Sequence, residues 1–87
     1  MRALFVEANL VNAVLRGTGL GEADLRNANL SNADLYRASL VRANLRGANL
    51  TNASLAETRM TGSDLRGAIG VNLEGSFGTP AFMPDDE

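Results

Sequence analysis

Every fifth residue from Leu10 to Leu65 is leucine, with a single methionine at position 60. An α-helix does not explain the period, because a step of five residues turns the side chain by about 140° and would spread these positions around the axis. A flat strand fails as well, since residues five apart fall on opposite faces and half the leucines would meet water. The pattern is satisfied when the chain turns a corner after each unit of five, so that every central residue points to one shared axis. That is the geometry of a solenoid.

The remaining positions of the unit agree. Two residues before each centre the side chain is small, as at Ala8, Ala23, Ala43, Thr58 and Ser63. Positions i and i−2 share a face in extended chain, so a large and a small residue per unit fill a narrow interior. The predicted core is Leu10, Leu15, Leu20, Leu25, Leu30, Leu35, Leu40, Leu45, Leu50, Leu55, Met60 and Leu65. Between the two inward positions stands an outward Asn or Asp in many units, a residue that bonds to backbone in turns. Gly17, Gly47, Gly62 and Gly67, with Asn12, Asn27, Asn32 and Asn52, take the corner two residues after the centre, where bends are tolerated.

Written out, the units Ala23-Asp24-Leu25, Ala28-Asn29-Leu30, Ala33-Asp34-Leu35, Ala43-Asn44-Leu45 and Ala48-Asn49-Leu50 closely resemble the A-(D/N)-L-x-x motif of the pentapeptide-repeat family. The resemblance implies an all-β fold, a right-handed quadrilateral parallel β-helix with four units per coil, here about three coils tall. The polar residue is missing at Val14, Gly19, Ser39, Ser54 and Arg59. Four units per coil stack residues twenty apart, which aligns Arg26, Arg46 and Arg66 and sets Glu22 over Arg42 and Arg37 over Glu57. The frame fails after Ala68, so the chain divides into a repeat body, residues 1–69, and an irregular C-terminal segment with an acidic tail, residues 70–87. In that segment Phe77, Phe82 and Met83 are expected to fold over the open end of the stack.

Charge refines this picture. Residues 1–69 hold all eight arginines against six acids, whereas residues 70–87 hold four acids and no base, so the net charge of −2 belongs to the tail. Without His or Cys the common nucleophile and base arrangements cannot be built, and the chain reads as no enzyme, with no cofactor and no metal site. Gly17, Gly19 and Gly21 lack the spacing and the lysine of a phosphate loop and read as corner residues. No stretch approaches the length of a membrane span, and a cytoplasmic, bacterial protein is expected.

Two surface features remain. The column Arg26, Arg46 and Arg66 is the candidate strip for an anion or a protein, set against a solvated wall neutralised by neighbouring aspartates. Leu4, Val6, Val11 and Val14 fall at outward positions of the first units and are candidates for self-association, as a homodimer through the N-terminal coil or with another partner. The other arrangement open there is Met1 to Leu4 folded back over the end. The function expected is a non-catalytic protein-binding or scaffold module with no direct nucleic-acid binding and no membrane contact. The resemblance supplies an alternative, a DNA mimic that interacts with gyrase, which demands a long acidic rod.

Overall fold

The computed structural model describes residues 3–87. Each unit of five forms one side of a four-sided coil. Wall 1 comprises residues 3–7, 23–27, 43–47 and 63–67, wall 2 residues 8–12, 28–32 and 48–52, wall 3 residues 13–17, 33–37 and 53–57, and wall 4 residues 18–22, 38–42 and 58–62. Parallel bridges join Leu4 to Asp24, Asn9 to Asn29, Val14 to Asp34 and Gly19 to Ser39, and the same twenty-residue register recurs in the coils that follow. This is a quadrilateral parallel β-helix.

The physical basis of each corner is visible in two features. The residue two after the centre adopts positive φ, at Gly17 (68°), Asn27 (59°) and Gly47 (70°) and equally at Glu22 (61°), Arg37 (60°) and Arg42 (58°). The outward Asn or Asp accepts a bond from the N–H two residues on, as from Ser31 to Asn29 Oδ1 (3.1 Å), Arg46 to Asn44 Oδ1 (3.1 Å) and Thr51 to Asn49 Oδ1 (3.0 Å). The polar letter of the motif thus satisfies a donor that the corner would leave unpaired.

Inside, the leucines from Leu25 to Leu50, with Met60 and Leu65, have no exposure, and Leu20 and Leu55 are also buried. Leu10 and Leu15 are only partly buried, as are Ala3 and Phe5. The two ends of the stack therefore differ. At the N-terminal end the first coil leaves its core partly open, and Leu4, Val6, Val11 and Val14 are all exposed. These four lie on walls 1, 2 and 3, so they share a coil and not a flat patch.

The C-terminal end departs from expectation. Asn49 bridges Ile69 in the regular register, but Arg59 then bridges Phe77 and Asp64 bridges Phe82, eighteen residues on. Two residues are missing from one side of the coil, at Gly70, and the repeat resumes in a new phase as 71–75, 76–80 and 81–85. Its signatures return with it: the Glu74 N–H donates to Asn72 Oδ1 (3.0 Å), and the Ser76 N–H to the Leu73 carbonyl (3.0 Å). Segment 70–87 is thus largely a further turn of the helix and not an irregular cap, and wall 1 reaches a fifth level where about three coils were expected. Phe77 and Phe82 take outward bridge positions and remain 56% and 38% exposed, so backbone, not aromatic side chains, closes this end.

Candidate binding surface on walls 1 and 3

Wall 1 carries the arginine column. Asp24, Asn44 and Asp64 are bridged in register, which holds the residues two places on, Arg26, Arg46 and Arg66, one coil apart at the roughly 4.8 Å spacing of paired strands. Arg26 binds Asp24 through two bonds, Nε to Oδ1 and Nη2 to Oδ2, each 2.8 Å. Arg66 grips Asp64 in the same fork, Nε to Oδ1 at 3.0 Å and Nη2 to Oδ2 at 2.6 Å, and its guanidinium lies 3.9 Å from the centre of the Phe82 ring. Hydrogen bonding to Arg66 lowers the Asp64 pKa, and the nearby Arg46 charge acts in the same direction. A carboxyl so depressed is held ionised in the fold, and the contribution is lost only as pH falls through its lowered value.

Arg46 differs from the other two. The residue two before it is Asn44, which accepts from the Arg46 backbone N–H and provides no charge. Arg46 is exposed and forms no ion pair among the described residues. The column is therefore two neutralised, pre-oriented arginines flanking an exposed one with no ion-pair partner among the described residues.

The stacked charge pairs divide as well. Arg37 Nε meets Glu57 Oε1 at 3.0 Å, and the Tyr36 hydroxyl donates to Glu57 Oε2 at 3.0 Å; together they lower the Glu57 pKa, Arg37 the more strongly. Glu22 and Arg42 line one open depression with Asp24 and Asn44 but form no ion pair. Wall 3 holds a cluster that the pattern of fives did not reveal. The Tyr36 ring lies between the guanidinium groups of Arg16 and Arg37, 5.4 and 5.1 Å from its centre, and Arg16 pairs with Asp34. The signal available was the twenty-residue spacing from Arg16 to Tyr36, the only tyrosine of the chain.

A family model for pentapeptide repeats matches residues 2–32 and 28–67 in eight copies. The chain belongs to the pentapeptide-repeat family. Among solved structures, a pentapeptide-repeat protein of the Arabidopsis thaliana thylakoid lumen is similar in fold, with a TM-score of 0.71 at 24% identity, over 92% of this chain and 50% of that one. The pentapeptide-repeat protein Rfr23 of the cyanobacterium Cyanothece 51142 is 39% identical over 86% of this chain and 58% of its own, with a TM-score of 0.55. This pentapeptide-repeat chain thus spans about half the length of these relatives. Among curated proteins, none matches it. No helix among the described residues is long and apolar enough to cross a membrane.

Proposed function

We propose that this pentapeptide-repeat chain is a non-catalytic binding or scaffold module whose walls present side chains to a protein partner. The observation that carries the reading is wall 1: Arg26 and Arg66 are locked by bidentate bonds to the carboxylates of Asp24 and Asp64, and Arg46, between them, forms no ion pair among the described residues. Donors fixed in place lose little freedom on binding, and a planar guanidinium flanked by neutralised neighbours suits a partner's carboxylate. Two carboxylates of the walls are held ionised, Asp34 by Arg16 and Asp64 by Arg66, which favours a recognition role over a general-acid one.

The gyrase-directed DNA mimic fits less well. Duplex DNA presents a negative charge about every 1.7 Å, whereas this wall alternates Asp24 and Asp64 with Arg26, Arg46 and Arg66. A cytoplasmic location is part of the proposal; the relative in a thylakoid lumen shows the fold in another compartment, and cell fractionation distinguishes the two. Affinity capture from the source cell with wild type and Arg46→Ala side by side tests the function. A partner enriched by the wild type and at least several-fold depleted with Arg46→Ala is the expected result. Identical capture by both would remove wall 1 as the binding surface.

A further inference from the structure

Four residues of the first coil, Leu4, Asn9, Val14 and Gly19, hold positions whose N–H and C=O both point toward the N-terminal end. One level down, the equivalent Asn29 shows the direction: its N–H donates to the Ala8 carbonyl (2.9 Å), and its own carbonyl accepts from the Leu10 N–H (2.8 Å). In the first coil these groups have no partner among the described residues. Each wall thus offers one residue able both to give and to accept, which is the requirement for a hydrogen-bonded pair in an antiparallel ladder.

We propose that two copies pair through their N-terminal ends across a two-fold axis, edge to edge and antiparallel, with Leu4 opposite Gly19 and Asn9 opposite Val14 of the second copy. The register follows from the shape of the end. A coil is a ramp that descends from residue 3 to residue 22, and two such ramps face each other at uniform separation only when wall 1 of one lies over wall 4 of the other. The axis then passes through the corner between walls 2 and 3, and all four walls are paired.

Two independent features fit this register. Inward residues meet large on small, with Phe5 over Thr18, Leu10 over Ala13, Leu15 over Ala8 and Leu20 over Ala3 of the second copy, covering the half-open core of the first coil. Glu7, which forms no ion pair among the described residues, faces Arg16 of the second copy, and symmetry repeats the contact. Arg16 is 64% exposed even while paired with Asp34, so its guanidinium remains accessible to a second carboxylate. The competing axis through the middle of wall 2 sets Glu7 against Val11 and leaves the Gly19 edge unpaired. Because a two-fold contact is self-complementary, assembly closes at the dimer.

This inference concerns the end of the stack and stands apart from the wall reading, so Arg46→Ala leaves the dimer unchanged. Sedimentation equilibrium of the full chain tests it. The wild type is expected to form a concentration-dependent dimer and nothing larger. Glu7→Arg and Arg16→Glu each weaken it by roughly tenfold, through two symmetry-related repulsions; the double variant recovers the wild-type affinity to within about threefold. Glu7→Arg keeps its corner conformation, which Arg37 and Arg42 adopt with φ of 60° and 58°, and circular dichroism verifies that each variant is folded. Amide exchange supplies a second readout, with Asn9, Val14 and Gly19 becoming protected as the dimer fills. A wild type that stays monomeric at every concentration, growth beyond a dimer, or a double variant no tighter than the singles would each overturn the proposal.

Discussion

Ser63 is fully buried, and its hydroxyl has no hydrogen-bond partner among the described residues. Its neighbour Thr58, equally buried, donates from Oγ1 to the Leu35 carbonyl at 2.6 Å and is satisfied. The contrast matters because an unpaired buried hydroxyl costs about 1–3 kcal/mol of lost hydration. The positions one and two coils earlier in the same column are Ala43 and Ala23, which fill the space without a polar atom. Ser63→Ala should therefore raise stability by about 1 kcal/mol, measured by chemical denaturation. A loss of similar size would mean that the hydroxyl packs or bonds in a way the structure does not show. The corners give the opposite case, residues kept despite local cost. Glu22, Arg37, Arg42 and Glu57 adopt a left-handed conformation that costs non-glycine residues roughly 1–2 kcal/mol, and ladder bonds such as Arg42 N–H to the Thr61 carbonyl (2.9 Å) enforce it.

At the scale of the repeat unit, the period of five made the interior legible, because burial follows from position within the unit alone. Corners were legible where Gly or Asn marked them and hidden where Glu or Arg stood, since there the ladder overrides local preference. At the C-terminal end the sequence shows a frame that fails after Ala68 and a motif-like piece, Val71-Asn72-Leu73-Glu74-Gly75, out of phase with it, but not the ladder that continues beyond. Its units 76–80 and 81–85 place Gly78 and Met83 at the centre, so the leucine signal vanishes although the backbone ladder continues. Gly70 makes the shift possible. It adopts φ of 69°, and a Cβ there would lie 2.6 Å from the Thr51 Cα and 2.8 Å from its N. Backbone cannot yield as a side-chain tip can, so Gly70→Ala combines positive-φ strain with a main-chain clash. It should destabilise the protein by more than about 2 kcal/mol. Gly19→Ala, at a position with ordinary φ and nothing within 4 Å, is the matched control and should change stability little. Equal effects of the two in a thermal melt would show that the corner at Gly70 is not under this constraint.

For the whole molecule the decisive property is that every coil rests on its neighbours, so the value of one core residue depends on its height in the stack. The charge column on wall 1 was legible from spacing, whereas its division into paired and unpaired arginines depended on side-chain geometry: Asn44 in place of Asp leaves Arg46 free, and Phe82 reaches Arg66 only through the shifted register. Height also orders the consequences of cavity formation. Leu35 has no exposure and coils on both sides, while Leu10 is partly exposed in a first coil that no described residue covers. Leu35→Ala is therefore expected to cost about 2–5 kcal/mol, the range for a large-to-small change in a packed core. Leu10→Ala should cost well under half of that, because its cavity opens to solvent and less apolar surface is lost from the interior. Denaturant titration at low protein concentration, where the monomer dominates, isolates this difference. If end-to-end pairing of copies covers the first coil, the cost of Leu10→Ala should climb toward that of Leu35→Ala as concentration is raised through the dimerisation range. A cost for Leu10→Ala that matches Leu35→Ala already in the dilute monomer would contradict the open N-terminal end from which that pairing was argued.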